Sequence, residues 1–396
     1  MKIERADIYI APTGNRRAVL LELTTDRGIT GIGEAGVAYG IGQHAAAEML
    51  RAMIGRHVLG RDARRIGAIW NDLYDLSFWT RNGGAICYAA LSAIEHALWD
   101  IKGKALSAPV HELLGGAMRD ELLVYANGWW VGCDTPEEFA RAGAATVARG
   151  FSGLKLYPLG LADPVTVVRH PTLRSLDSRV VPLVCDRVAA LREAVGPDIG
   201  IMLDFGGGLT TDQVLRICRR LEPFDVLFIE EAVDPSAPDA MAAVAAGTTI
   251  AMAAGERCFG RAAFDRLLQC GVRIAQPDIC NTGGLLEARM IAGMAEARNV
   301  RVAPHNYGST LASAITAQLS AAIPNFMVLE FFPDYDREPG YLEVLENPLE
   351  PQLRNGRVPV PAAPGLGVAL DRTALAPHHH AACVAGRPPG RQSECR

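Results

Sequence analysis

The spacing of hydrophobic and polar residues changes twice along the chain. In residues 1–60 apolar and polar positions alternate, and turn signals at Pro12-Thr-Gly-Asn and Asp26-Arg-Gly divide the segment, which predicts an antiparallel meander. From His44 to Leu114 the apolar residues recur every three or four positions, as on one face of a helix. A sheet followed by helices predicts a first, α+β domain over residues 1–116.

From Leu122 onward, short apolar runs alternate with helix-like stretches such as Pro136–Arg149 and Leu285–Arg298. The strand candidates are Leu122–Ala126, Gly153–Tyr157, Ile199–Phe205, Leu227–Glu231, Ile250–Glu256, Arg273–Asp278, Arg301–His305 and Val328–Phe332. Eight strands with intervening helices are enough to close a barrel. We therefore predict an α/β fold with a modified TIM (β/α) barrel over residues 117–355. The proline-interrupted residues 159–178 break this rhythm, and we assign them no role.

The pattern fades after the last predicted strand. Residues 356–377 begin with a segment rich in proline and glycine, Gly356 to Gly367, and one short strand is predicted at Gly367–Leu370. Residues 378–396 have little apolar surface to bury, so we expect a mobile tail whose three histidines, His378 to His380, are solvated.

Three successive predicted strands end on carboxylates, at Asp204, Glu230 and Glu256, and the spacing is 26 residues each time. This is about the length of one strand–helix repeat, so the three side chains should reach the same rim of the barrel, where active sites of such barrels lie. A single acid at a strand end is more commonly a helix cap. Three that converge repel one another unless a cation lies between them, and a donor set of oxygens alone favours Mg²⁺.

Two later strand ends carry an aspartate and a histidine, Asp278 and His305. The carboxylate can fix the imidazole tautomer, which makes His305 a candidate general base. Glu330, at the end of the last strand, could donate a proton to a carboxylate oxygen. Lys155 and Tyr157 share one face of the second strand and should look into the barrel mouth. A buried lysine should meet a substrate carboxylate or a metal ligand, unless it snorkels to solvent.

Composition narrows the range of partners. At 396 residues, with 49% hydrophobic and 21% charged residues, the chain is long enough for two or three domains with a large core. A net charge of −5 gives no reason to expect nucleic acid or an anionic membrane as partner, and no apolar run approaches about 18 residues. The N-terminus lacks the apolar core of a signal peptide, and the nine cysteines have no paired spacing, so we expect a cytoplasmic protein with reduced thiols.

Taken together, a divalent cation, an Asp–His pair, a lysine and a glutamic acid suit the removal of a weakly acidic proton next to a carboxylate. This constellation resembles the enolase superfamily, in particular its mandelate racemase branch. The matching segments are Ser92–Gly103, Glu112–Gly116, Ile229–Glu231, Gly255–Glu256, Gln276–Asp278, Gly283–Gly284 and Pro364–Gly367.

The resemblance implies a capping domain that selects substrate and is completed by C-terminal residues 356–377. It also implies one Mg²⁺ per subunit on Asp204, Glu230 and Glu256, with Asp278 and His305 as the catalytic pair. Two positions depart from the pattern. Tyr157 stands where the branch often has a second lysine, which argues against two-base racemisation, and Gly206 stands where related dehydratases often have a histidine that acts as leaving-group acid.

The chain is most similar in pattern to galactonate-type acid-sugar dehydratases, so we expect removal of the α proton by His305 and loss of the β-hydroxyl to give a 2-keto-3-deoxy acid. Alternatives are an epimerase, racemase or cycloisomerase with the same enediolate, or a catalytically silent acid-sugar-binding homologue. With Gly206, the leaving-group acid is either His305 itself or another residue such as Tyr157. A homo-oligomer, from dimer to octamer, is expected. The candidate substrate-binding residues are Tyr39, in a predicted lid at Gly31–Gly42, and Trp79, Arg81, Trp129, Trp130, Glu231 and Asn306. For the tryptophans the alternative is a packing role in the core or between the domains.

Overall fold

The computed structural model describes residues 1–81, 83–160, 180–333 and 335–386. It contains a four-stranded sheet and a nine-stranded sheet. Most of the proline-interrupted segment predicted at 159–178, and residues 387–396 of the predicted tail, lie outside the described residues.

The four-stranded sheet belongs to the N-terminal part of the chain. Its meander consists of β1 (Ile3–Thr13), β2 (Arg16–Thr25) and β3 (Thr30–Ala35), each antiparallel to the next, as the alternation predicts. Four helices follow: α1 (Gln43–Met53), which continues as a π-helical turn over Ile54–Val58, α2 (Ile66–Leu76), α3 (Gly84–Leu106) and α4 (Val110–Leu113). Helix α3 packs against β3 and is buried along most of its length, so it is the centre of this capping domain.

The nine-stranded sheet forms the barrel. Its eight parallel strands are β4 (Glu121–Ala126), β5 (Gly153–Leu156), β6 (Gly200–Asp204), β7 (Val226–Glu230), β8 (Met252–Ala254), β9 (Ile274–Ala275), β10 (Arg301–Val302) and β11 (Leu329–Phe331). Each pairs with its neighbour in chain order from β4 to β10, and β11 pairs with β4. A bridge between Val302 and Phe326 joins the remaining edges. All eight predicted strands are confirmed, although most are shorter than predicted.

Seven helices surround these strands in the described part of the chain: α5 (Pro136–Val147), α6 (Val180–Val195), α7 (Thr211–Leu221), α8 (Pro238–Ala246), α9 (Arg261–Gln269), α10 (Leu285–Glu296) and α11 (Thr310–Ala322). The barrel interior is filled by Tyr125, Met202, Phe228, Ala253, Ile274, Ala303 and Val328. This filled interior leaves the carboxyl ends of the strands as the place where polar side chains can gather.

The C-terminal segment corrects two predictions. The strand predicted at Gly367–Leu370 is wrong. A strand forms earlier instead, at β12 (Arg357–Pro359), antiparallel to β4. The 367–370 stretch exchanges its backbone hydrogen bonds with loop residues, since Ala369 N donates to Asn347 and Ala369 O accepts from Glu346 N. Just before it, the amide of Leu366 donates to Asp100 on α3, so the chain does return to the capping domain.

The predicted mobile tail is also wrong for its first residues. After α12 (Arg372–Leu375), residues 379–384 form β13 (His379–Val384), which pairs with the outer edge of β1. The edge of β1 offers unpaired backbone groups, and the segment His379–Val384, in which four of six residues are apolar, satisfies them. The low hydrophobicity of the tail as a whole therefore did not decide the outcome. His379 and His380 contact the carboxylates of Asp7 and Glu48, at 2.9 and 3.2 Å, and are not simply solvated.

Across the described helices, none is long and apolar enough to cross a membrane. The eight cysteines in this part of the chain are all free thiols. Cys280, which follows a strand end, is buried, consistent with packing.

Candidate active site

The three predicted metal ligands lie at the carboxyl ends of adjacent strands. Asp204 is the last residue of β6 and pairs in register with Glu230, the last residue of β7, while Glu256 lies two residues beyond β8. Burial raises the pKa of Glu230 to about 8; Lys155 opposes this effect and the charge of Asp204 adds to it. The pKa of Asp204 is likewise raised by burial, to about 6. These shifts show how costly it is to keep both carboxylates ionised without a further cation.

Lys155 compensates part of this charge. Its ammonium group, 1% exposed, lies 2.8 Å from both carboxylate oxygens of Glu230 and 2.6 Å from Oε1 of Glu330. Two amides missed in the sequence complete the arrangement: Gln276 donates to Glu230 at 2.7 Å, and Asn127 donates to Glu330 at 2.7 Å. Both residues directly follow barrel strands, β9 and β4, and this position was the signal that could have identified them.

The predicted Asp–His pair is formed. Nδ1 of His305 lies 2.9 Å from Oδ2 of Asp278, and Nε2 lies 3.0 Å from Oε2 of Glu256. Burial alone would lower the pKa of His305, but the two carboxylates outweigh it and raise that pKa well above its usual value. Burial would raise the pKa of Glu256, yet the contact with His305 prevails and lowers it to about 2. In this arrangement the imidazole ring lies between two carboxylate groups.

The charge balance of the rim bears on whether it fits a metal ion. Five carboxylates meet here: Asp204, Glu230, Glu256, Asp278 and Glu330. They face the ammonium group of Lys155 and the imidazole ring of His305. The excess of negative charge and the donor set of oxygens fit Mg²⁺. As the side chains stand, with Glu230 and Glu256 paired to Lys155 and His305, no three His, Cys, Asp or Glu residues in the described ranges are grouped closely enough to hold a metal ion.

Tyr157 lies beside Gly206, the position at which related dehydratases often have a histidine. Gly206 adopts a left-handed backbone with φ of 58°, and a Cβ placed on it would lie 3.5 Å from Cε2 of Tyr157. Burial raises the pKa of Tyr157, so its phenol stays protonated. The Tyr157 ring packs on Trp130, with centroids 6.0 Å apart.

The candidate substrate-binding residues divide into two groups. Three are engaged by the protein itself. Trp129 is buried against Phe139, Glu231 is buried in an ion pair with Arg257, and Asn306 is buried and bound to Glu330 and Ser313. All three are buried, but Nε1 of Trp129 and Oδ1 of Asn306 have no hydrogen-bond partner among the described residues, so a contact of these residues with substrate stays a prediction. Of the two adjacent tryptophans, Trp130 and not Trp129 is the one beside Tyr157.

The other candidates are exposed. Tyr39 is 58% exposed and packs edge-on against Tyr307, close to the end of β10. Trp79 is 76% exposed, and Arg81 forms an exposed ion pair with Asp75. Their contribution to substrate binding stays a prediction.

The fold and this site define an enzyme of the enolase superfamily, a (β/α) barrel with an α+β cap and carboxylates on successive strand ends. More narrowly, the chain belongs to the mandelate racemase/muconate lactonizing enzyme family. The model of that family's N-terminal domain matches residues 5–115, and the enolase C-terminal domain-like model matches residues 138–374.

Individual relatives agree with this assignment. The chain is 36% identical over 377 residues to a D-galactonate dehydratase of Ralstonia nicotianae, covering 94% of this chain and 92% of the relative. It is 34% identical over 379 residues to a D-gluconate dehydratase of Thermoproteus tenax, covering 94% and 73%. A protein of Mesorhizobium loti of known structure is 44% identical and superposes with a TM-score of 0.94, covering 97% of this chain and 100% of the other.

Proposed function

We propose that this protein is a Mg²⁺-dependent dehydratase of an acid sugar. It would remove the proton α to the carboxylate and eliminate the β-hydroxyl, giving a 2-keto-3-deoxy acid. The observation that carries the proposal is the placement of His305 between Asp278 and Glu256 on the rim that also holds Lys155. The dehydratase names of relatives at 34–36% identity support the same reaction class.

Asp204, Glu230 and Glu256 would hold the ion. Bound there, Mg²⁺ would act as a Lewis acid toward the substrate carboxylate and supply several kcal/mol of stabilisation to the charge that develops on it. Lys155, already in contact with Glu230 and Glu330, adds a fixed positive charge at the same end of the barrel. Glu330, oriented by Asn127, is the proposed proton donor to a carboxylate oxygen, although Lys155 and His305 outweigh burial and lower the pKa of its carboxyl group.

His305 is the proposed base. Asp278 engages Nδ1, so Nε2, which contacts Glu256 in the absence of substrate, would be the nitrogen that accepts the α proton. The C–H bond breaks, its electron pair enters the substrate, and the C–O bond of the β-hydroxyl breaks when that oxygen is protonated and leaves as water. We assign this second proton transfer also to His305, since Gly206 carries no acid and His305 is the only histidine at a barrel strand end among the described residues.

The choice of a dehydratase over a racemase rests on Tyr157. A racemase of this kind needs a base on each face of the substrate, and a phenol whose pKa is raised by burial is a poor base at neutral pH. A placed base contributes about 10²–10⁴-fold to the rate, so the loss of His305 as the base should be easy to detect.

The test is incubation of the protein and Mg²⁺ in D₂O with a panel of mono- and diacid sugars. Formation of keto acid, detected with semicarbazide, and α-proton exchange should both occur with the wild type and both disappear in His305→Asn. Near wild-type exchange by His305→Asn would remove it as the base. Tyr157→Phe is the matched control and should retain both activities. Loss of keto acid with exchange intact in that variant would assign the leaving-group acid to Tyr157.

The same assay separates the alternatives. Exchange without keto acid in the wild type would indicate an epimerase or cycloisomerase. Mg²⁺-dependent thermal stabilisation by an acid sugar, with neither exchange nor product, would indicate a silent binding protein.

A further inference from the structure

The end of strand β3 in the capping domain contacts the segment that follows His305. The carboxylate of Glu34, on β3, is fully buried, and its Oε1 accepts a hydrogen bond from the amide of Ser309 at 2.8 Å. Its Oε2 accepts from the hydroxyl of Ser309 at 2.5 Å and from the amide of Ala312 at 3.1 Å. Ser309 is the N-cap residue of α11, the helix that follows β10. A carboxylate of the capping domain therefore holds the first turn of this helix in place.

Two residues further on, the same strand end contacts the segment that follows β9. The amide of Gly36 donates to the carbonyl of Cys280 at 3.0 Å, and the carbonyl of Gly36 accepts from Nδ2 of Asn281 at 3.2 Å. That same Nδ2 donates to Oδ2 of Asp278 at 3.2 Å, which is the oxygen bound to His305. The cap therefore reaches the Asp278 carboxylate through one amide side chain.

Gly36 and the side chain of Asn281 are in close contact. A Cβ on Gly36 would lie 2.4 Å from Nδ2 of Asn281, so the Asn281 side chain would have to move to accommodate it. Beyond Gly36 the chain leads to Tyr39, which packs on Tyr307 two residues after His305. One short segment of the capping domain thus touches the chain on both sides of the catalytic pair.

We infer that Glu34 is a positioning residue for the Asp278–His305 pair, acting with the Gly36–Asn281 contact. This inference rests on the proposed function, because it assigns to these contacts the alignment of the base in that reaction. A base is effective only within hydrogen-bond reach of its proton, and a displacement of about 1 Å can lower the rate by about 100-fold. The cap would then set the rate of proton abstraction as well as cover the substrate.

The test compares Glu34→Ala and Glu34→Gln with Asp100→Asn. Asp100 is a matched control because it is also a fully buried carboxylate of the capping domain that accepts backbone hydrogen bonds, from Ile32 and Leu366, but it contacts neither strand-end segment. Initial rates of keto-acid formation and α-proton exchange are measured at equal concentrations of folded protein, over a range of substrate concentrations.

For Glu34→Ala we expect kcat to fall by about 10- to 100-fold, while KM changes by less than about threefold, because the substrate-binding groups stay in place. Glu34→Gln should lie between this variant and the wild type, since an amide oxygen can still accept two of the three hydrogen bonds. Asp100→Asn should keep kcat close to wild type.

Equal kcat values for Glu34→Ala and Asp100→Asn would overturn the inference. Should Glu34→Ala fail to fold, Asn281→Ala tests the other contact: it removes the amide between Gly36 and Asp278 and should lower kcat with KM nearly unchanged, and an unchanged kcat would overturn the inference equally. A wild type that catalyses no exchange on any acid sugar would instead overturn the proposed function and, with it, the assigned alignment.

Discussion

At the scale of single residues, the main energetic cost of the site is the burial of charged side chains in the barrel. Lys155 is buried and touches two carboxylates, those of Glu230 and Glu330. Removing one partner of a buried ion pair is strongly destabilising, since the remaining charge keeps its desolvation cost and loses its compensation. Lys155 should therefore matter for folding as well as for the reaction.

We predict that Lys155→Met lowers the free energy of unfolding by about 3–5 kcal/mol in Mg²⁺-free buffer, measured by urea denaturation. Lys102→Met is the control, because Lys102 lies over the ring of Trp99 at 5.1 Å and should contribute only about 1 kcal/mol. A loss for Lys155→Met no larger than that of the control would mean that Glu230 and Glu330 are stable without the lysine.

The residues of the site differ in how far sequence alone could identify them. Asp204, Glu230 and His305 could be predicted because each ends an apolar strand, and parallel strands bring their ends to one rim. The residues to which these side chains bind could not be predicted. That Gln276 binds Glu230 depends on contacts across the barrel mouth between positions 46 residues apart. Which of Trp129 and Trp130 packs beside Tyr157 could not be predicted either, because the sequence of a loop after a strand does not show which of two neighbouring side chains turns inward.

At the scale of elements, the capping domain is joined to the barrel by buried carboxylates at helix starts. Glu95 on α3 accepts hydrogen bonds from the amides of Leu285 and Leu286, the first two residues of α10, just as Glu34 does at α11. Helix N-termini favour negative charge, so these contacts orient the cap on the barrel. Sequence showed these acids within helical and strand patterns, but not the helices they cap, because the partners lie about 190 and 275 residues away.

The short 3₁₀ turn Glu350–Gln352 provides a test of pH dependence that does not involve the proposed metal ligands. Glu350 is fully buried, accepts a hydrogen bond from the hydroxyl of Tyr341 at 3.3 Å, and has its pKa raised by burial to about 7 from 4.5. A carboxyl group whose pKa is higher in the folded state binds protons more tightly there. Its contribution to stability is therefore full below pH 4.5 and is lost as the pH rises to about 7.

We expect Glu350→Gln to match the wild type in stability near pH 4 and to exceed it by up to about 3 kcal/mol above pH 7, because the amide cannot ionise. Urea unfolding of both proteins from pH 4 to 8 measures the difference, and groups common to both cancel. The exposed Glu346→Gln is the control. A difference that does not change with pH would show that Glu350 is not protonated more readily in the fold.

At the scale of the whole molecule, the two parts of the fold were predictable to different degrees. The barrel followed from its strand–helix repeat, and the meander from its alternation and turns. The closing strand β13 did not, because an edge strand is held by backbone pairing with β1, which leaves little trace in hydrophobicity. The cap is thus built from both ends of the described chain, and its position over the barrel rim depends on contacts distant in sequence.

The excess of carboxylates at that rim predicts how the whole fold should respond to Mg²⁺. An ion that binds only the folded protein stabilises it by about 2.7 kcal/mol at a concentration 100 times its Kd. We expect the melting temperature and the free energy of unfolding to rise with MgCl₂ in the wild type, and this rise to disappear in Glu230→Gln. Glu193→Gln, on the exposed face of α6, should respond like the wild type.

The comparison must separate binding from screening, because salt also weakens repulsion among the remaining carboxylates. NaCl at the same ionic strength is therefore the second control, and it should stabilise the wild type less than MgCl₂ does. Equal stabilisation by the two salts, or a full Mg²⁺ response in Glu230→Gln, would contradict a site built on Asp204, Glu230 and Glu256. A response to Mg²⁺ that Glu230→Gln abolishes would link the stability of the whole barrel to the ion that the proposed reaction requires.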